Sequence, residues 1–251
     1  MTKRCLALSL VSCALSAQAM SYWAVGYESQ LISAEQALEA ADRLQAILSE
    51  PVSTSVVPFD GVTERATPAP LEPVLAAFPP VFFPAVVKAG WTPIMRYEAD
   101  LAIQLYHDEG RDLSPDSWVS TPPVETTAAA MAPMVLESAG IDGAGITAAK
   151  SHSACIRAVV ARVADGCVTA PYFVQRYAQR FDIELIPVGE PVPIPPVALF
   201  ASPGVDDQQI SQIKRELVTL VDGGFTYRPF VDGDELAYEP MFRLAAQSAD
   251  L

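Results

Sequence analysis

The sequence predicts an α/β fold of the doubly wound kind, and three observations carry that prediction. Residues 22–27 (YWAVGY) have strand composition, the Ala-, Leu- and Glu-rich run from residue 33 or 34 to about 49 has helix composition, and residues 55–59 are β-prone again. Strand, helix and strand in succession form the unit from which such folds are wound. Between residues 149 and 166, Ile156, Val159, Val160 and Val163 recur at the spacing of one helical face, with Arg157, Arg162 and Asp165 off it. Finally, 22 prolines against 13 glycines in 251 residues, with 51% hydrophobic content, fit many short, rigidly joined elements around a sizeable core.

The chain opens as an exported protein does. Lys3 and Arg4 precede an apolar run over residues 5–17, and Ala17-Gln18-Ala19 has the small-x-small form of a cleavage site. Residues 1–19 are therefore expected to be a signal peptide, with the mature chain starting at Met20 in the periplasm or otherwise outside the cytoplasm. Leu10-Val11-Ser12-Cys13 resembles a lipoprotein box that would anchor the chain through Cys13, but its apolar region is very short and the cut after Ala19 is preferred. No later apolar run approaches 18 residues, so no transmembrane helix is expected. Loss of Lys3 and Arg4 leaves 14 basic against 30 acidic residues, a net charge of −16 with both histidines neutral. That balance argues against a nucleic-acid partner, because phosphates need a basic surface. It leaves room for a small anion held by local helix ends and hydroxyls.

In order along the chain, Tyr27 stands at the exit of the first strand, where a residue points toward a ligand crevice; its phenol either donates there or packs. Asp60, at the exit of the second strand, would repel an oxyanion and suits a cap or turn. Residues 61–80 are proline-rich, and residues 88–96 read as a helix end, a turn and a short strand. Residues 101–106 are a further strand, His107 a turn histidine with no metal-ligand spacing around it, and residues 113–119 reach another short strand. A helix over residues 127–138 starts at Thr126 and Thr127, whose hydroxyls serve either capping or anion binding, and Pro133 would strain its interior.

The helix within residues 149–166 starts at Ser151, His152 and Ser153 and is stopped by Gly166. Its first backbone N–H groups have no intrahelical partner, the chemistry an oxyanion needs, although serines also cap ordinary helices. The two helix starts near Thr127 and Ser151 converge on one cleft in this reading. Cys155 and Cys167 are the cysteines left after cleavage, either bridged or buried as two thiols. Residues 168–173 return as strand or loop, residues 182–187 as a strand, 191–196 as an extended proline crossover, 197–201 as a strand and 206–221 as a terminal helix. Phe225, Tyr227, Phe230 and Phe242 in the tail are packing residues or an interaction patch.

Four blocks, taken in order, resemble one family. They are Ala89-Gly90-Trp91-Thr92-Pro93, Glu125-Thr126-Thr127 leading to Leu136-Glu137-Ser138-Ala139-Gly140-Ile141-Asp142, Lys150-Ser151-His152-Ser153-Ala154-Cys155-Ile156-Arg157, and Glu190-Pro191-Val192-Pro193-Ile194-Pro195-Pro196-Val197. The chain is similar, over most of residues 22–221, to the periplasmic substrate-binding proteins of phosphate, phosphite and phosphonate ABC importers. The resemblance implies a two-lobe fold of the type II periplasmic binding protein kind. Residues 20–100 would form the first part of one lobe, 101–190 the second lobe, and 191–251 the crossover and return with a C-terminal helix and tail.

It implies a monomer that closes on a small oxyanion without changing it chemically and hands it to a membrane permease. Ser151 and His152 match the family's helix-start binding region and Ser153 accompanies them; Thr126 and Thr127 fall where hydroxyls of the second lobe are expected, and Tyr27 is a looser match. Ser120 and Thr121 run into Pro122 and Pro123 instead of a clean hydroxyl-rich loop. No catalytic residue, cofactor or metal is implied. Ser151 or Ser153 with His152 and Asp165 makes a poor triad, and no nucleophile elbow, zinc-histidine motif or phosphate loop is present. The rival reading is an exported sensor or interaction scaffold that kept the two-lobe fold without transport-linked binding.

Overall fold

Met20 and Tyr22–Val25 form a near-continuous buried run, the pattern of a strand covered on both faces. In the computed structural model this run is β1 (Met20–Val25), parallel to both β2 (Val52–Val57) and β3 (Val74–Phe78). The structure describes residues 19–25, 42–46, 51–58, 61–98, 101–219, 221–222 and 225–249. Cys13, Tyr27, Asp60 and most of the helix expected over 33–49 lie outside those residues.

After β4 (Thr92–Glu98) the chain leaves for a second sheet made of β5 (Ala102–His107), β6 (Trp118–Thr121), β7 (Gly145–Ala148), β8 (Gly166–Thr169) and β9 (Ile186–Pro193). It returns to the first through β10 (Ala198–Ala201), β11 (Val221–Asp222) and β12 (Phe225–Pro229). The first sheet has the order β11-β12-β4-β10-β3-β1-β2 and the second β7-β6-β8-β5-β9. This is the α/β two-lobe architecture, one lobe on each sheet, with the second inserted in the first. The two crossing segments hold each other: Ile194 N–H donates to Leu101 O at 2.9 Å and Tyr97 N–H to Val197 O at 3.0 Å.

Helices cover both faces of each sheet. On the first, α1 (residues 42–46, through Leu44) and α8 (Asp207–Leu217) pack on one face; α2 (Val62–Ala66) and α3 (Phe83–Lys88) pack on the other with Trp91. On the second, α4 (Thr127–Ala130) and α5 (Ala132–Ser138) lie opposite α6 (His152–Val160) and α7 (Pro171–Phe181). The C-terminal α9 (Glu239–Ala249) sends Met241 into the core of the second sheet, while Phe242 meets Phe83 beside the first. Of the tail aromatics, Tyr227 and Phe230 pack against the first sheet's cores; nearby, Tyr238 is fully buried, stacks on Phe83 at 3.8 Å and donates to Pro196 O at 2.7 Å.

Several expectations need correction. The helix of residues 149–166 ends at Val160, and Gly166 does not stop it. Arg162 takes the left-handed conformation (φ 59), Val163 N–H donates to Ala158 O and Arg162 N–H to Val159 O. These two bonds are a Schellman stop with arginine in the place usually held by glycine. Val163 consequently leaves the buried stripe and is 78% exposed. Gly166 instead opens β8, where a Cβ would come within 2.9 Å of Leu105 Cδ1. Pro133 does not strain a long helix, because the chain breaks at Met131 and the proline sits in the first turn of α5. Residues 171–173, expected as strand or loop, begin the eleven-residue α7. Strand pairing in the 113–119 region starts only at Trp118. The proline run 191–196 is partly strand, since β9 continues to Pro193. The helix expected to be terminal stops at Leu217, and strands and α9 follow it.

Candidate functional site

β6 pairs in parallel with β7 on one side and β8 on the other, so all three strands end at the same edge of the second sheet. Each strand leads into a helix there: β6 into α4, β7 into α6, and β8 into α7. Three helix N-termini therefore open on one edge, with the strand order reversing around β6. That is the topological switch point at which open α/β sheets hold ligands. The bond from Ala149 N–H to Thr121 O, at 2.7 Å, draws the approach to α6 against the end of β6.

The sequence-predicted residues take distinct roles at this edge. Thr126 is the N-cap of α4; its Oγ1 accepts from Ala129 N–H at 3.2 Å and donates to Pro123 O at 2.7 Å, which spends the hydroxyl on the cap. Thr127, the first residue of the helix, is buried, and its hydroxyl makes no hydrogen bond among the described residues. Ser151 is the N-cap of α6 and accepts from Ala154 N–H at 3.1 Å, leaving its own O–H to donate elsewhere. Ser153 lies half-buried in the first turn of α6. The amides of Thr127, Ala128 and His152 precede the first intrahelical acceptors, so helix geometry gives them no partner within the helix.

His152 is the innermost member. It is 3% exposed, its Nδ1 lies 2.7 Å from Thr169 Oγ1, and its ring stacks on Phe173 at 4.0 Å with 14° between the planes. Burial disfavours the imidazolium and pulls the ring's pKa down to about 4, so His152 is neutral at pH 7. Sequence reasoning missed both partners. Thr169 ends β8 with no exposure at all, and Phe173 is in the first turn of α7. Pro171 ahead of Phe173, Val174 and Tyr177 at helical spacing was the available signal for α7.

Directly beneath, Cys155 and Cys167 are joined by a disulfide with Cα atoms 5.7 Å apart, tying α6 to β8. At the other end of β8, Asp165 pairs with Arg111 and accepts from Trp118 N–H at 2.9 Å, a structural anchor away from His152. No group of three or more metal-ligating side chains occurs among the described residues, and no helix among them is long and apolar enough to cross a membrane.

No curated protein matches the chain. Solved structures show its fold in distant sequences. XAC2383 from Xanthomonas citri, bound to ATP, superposes with a TM-score of 0.70 at 10% identity over 93% of this chain and 99% of its own. PA3383 from Pseudomonas aeruginosa, a binding protein component of an ABC phosphonate transporter, gives 0.69 at 12% identity over 92% of this chain and 87% of its own. PhnD1 from Prochlorococcus marinus, in complex with methylphosphonate, gives 0.67 at 11% identity over 92% and 99%. A family model described as the periplasmic substrate-binding protein of phosphonate ABC transporters matches residues 94–224, just over half the chain, and the protein belongs to that family.

Proposed function

We propose that the mature protein captures phosphate, phosphite or a small phosphonate between its lobes and presents it to an ABC permease. The observation that carries this reading is the convergence of the α4, α6 and α7 N-termini on one edge of the second sheet. An oxyanion entering there loses its hydration, and oriented amides with hydroxyls replace it. Thr127 and Ser151 supply hydroxyl donors, the amides of Thr127, Ala128 and His152 supply oriented dipoles, and His152 supplies a neutral ring donor. Ser153 flanks them in the same turn, Thr126 acts through the cap it makes, and Tyr27, outside the described residues, is the phenol donor we propose from the first lobe. The lobes divide at residues 20–100, 101–190 and 191–251, and closure around the crossing segments completes the shell. The protein works as an exported monomer, cut after Ala19.

The test is native mass spectrometry of gently purified mature protein, exchanged against phosphate, phosphite and methylphosphonate. One anion per chain is expected, and a chain that ignores the whole panel defeats the reading. In titrations with the anion retained, Ser151→Ala should weaken binding about tenfold or more, as expected for a hydrogen bond to a charged group. Unchanged affinity in a folded Ser151→Ala protein removes that hydroxyl from the site.

A further inference from the structure

A neutral imidazole carries its proton on one of two nitrogens, and which one decides whether the ring gives or takes a hydrogen bond at the ligand. Thr169 bears on that choice. Its side chain is fully buried, and His152 Nδ1, at 2.7 Å, is the hydrogen-bond partner of its hydroxyl among the described residues. If Nδ1 carried the proton, the ring would donate to Thr169 Oγ1 and leave a buried hydroxyl proton without an acceptor. An unsatisfied buried donor is costly. If Nδ1 is bare, the hydroxyl donates to it, and both the hydroxyl proton and the Nδ1 lone pair are used. The stacked Phe173 ring holds the imidazole plane in place, and the Cys155–Cys167 bridge ties the helix bearing His152 to the strand bearing Thr169.

We infer that Thr169 is a positioning residue for oxyanion capture: its hydroxyl donates to His152 Nδ1 and fixes the imidazole as the tautomer with the proton on Nε2. Nε2 makes no hydrogen bond among the described residues, so its N–H is the group left for a ligand. The inference rests on the reading that the site binds an oxyanion, and it sharpens the selectivity. At this edge the helix-end amides and the Nε2–H can only donate, while the Thr127 and Ser151 hydroxyls can donate or accept. An ionised P–O⁻ oxygen beside His152 accepts from Nε2–H, whereas a P–OH there finds no acceptor on the ring. The site therefore selects the deprotonated oxygen at His152, and Thr169 enforces the choice without touching the ligand.

Long-range ¹H–¹⁵N correlation spectra of ¹⁵N-labelled mature protein at neutral pH, without ligand, read the tautomer of each of the two histidines. The His152 signals are those lost in His152→Gln. We expect a bare Nδ1 and a protonated Nε2 in the wild type and in Thr169→Ser, with Thr169→Val moving population to the other tautomer. Calorimetric titration with methylphosphonate should show about a tenfold loss in Thr169→Val and recovery in Thr169→Ser. A proton on Nδ1 in the wild type, or an unchanged tautomer in Thr169→Val, overturns the inference. Should Thr169→Val not fold, the wild-type spectrum alone decides. A wild-type protein that shows the expected tautomer but binds none of phosphate, phosphite and methylphosphonate supports Thr169's hold on His152 while defeating oxyanion capture.

Discussion

Moving the protein from pH 7 to pH 5 should remove about 2 kcal/mol of folding stability through His152 alone. The native ring is held at a pKa of about 4 by burial, against 6.5 for an unperturbed histidine. At pH 5 the unfolded chain has bound the His152 proton and the native chain has not. The unfolded state is therefore favoured, and stability rises with pH through the window between about 4 and 6.5. At 1.36 kcal/mol per pKa unit, the contribution is about 0.2 kcal/mol at pH 7 and about 2 kcal/mol at pH 5, with a ceiling of about 3 kcal/mol below pH 4.

Urea unfolding followed by tryptophan fluorescence at both pH values, beside a His152→Gln chain, isolates the effect. His107 and the carboxylates are common to the two chains and cancel in the comparison. Glutamine does not titrate, so the variant should lose about 2 kcal/mol less than the wild type between pH 7 and pH 5. Equal losses in the two chains would refute the claim that His152 is buried and neutral.

Replacing Cys155 and Cys167 together by alanine opens a bridge between residues 12 apart and should cost about 3 kcal/mol, read as a lower urea midpoint in a chain that still folds. Gly204→Ala should destabilise by about 3 kcal/mol or more in the same assay, because the added Cβ runs into the backbone of Leu71 and Glu72, which cannot rotate away. Ser202, which accepts from Val74 N–H at 2.9 Å and donates to Glu72 O at 2.6 Å, pins that loop in place. Raising ionic strength from about 0.01 to 0.15 M shortens the Debye length from about 30 to 8 Å, which screens the repulsion between the acidic chain and an incoming anion. Affinity for methylphosphonate should therefore hold or rise across that range in a salt of bulky organic ions; a fall of tenfold would reveal a lysine or arginine in the shell.

The parts of the fold legible in sequence were those whose signal is local. Asp206 and Gln209 form a capping box three residues apart, and α8 starts where they place it. Ser151 and Thr126 were recognisable as helix starts because an N-cap is read from residue type alone. The misreadings came from tertiary decisions. Arg162 carries a left-handed stop that sequence rules reserve for glycine, and Gly166 was attractive as a stop only because its real constraint, the Leu105 side chain across β8, is remote in sequence. Thr169 was invisible for the same reason: a threonine in a short apolar run announces nothing until strand and helix bring it to an imidazole 17 residues earlier. Hydroxyls likewise looked equivalent in sequence, and only the geometry separates Thr126, spent on its cap, from Thr127.

How a chain of net charge −14 would hold an anion follows from the donors of the proposed site. A buried cation would draw the anion most strongly, but holding it in the empty site is costly, and a strong charge pair resists release. Helix-end amides, hydroxyls and a neutral imidazole carry no such cost, because each is a dipole already oriented by the fold. Their combined pull depends on being close and dry, and a two-lobe protein controls that condition by closing. In the proposed capture mode, opening the lobes lets water back to the same donors. The attraction then weakens without any change of protonation, and a neutral His152 lets the permease take the ligand with no proton left behind.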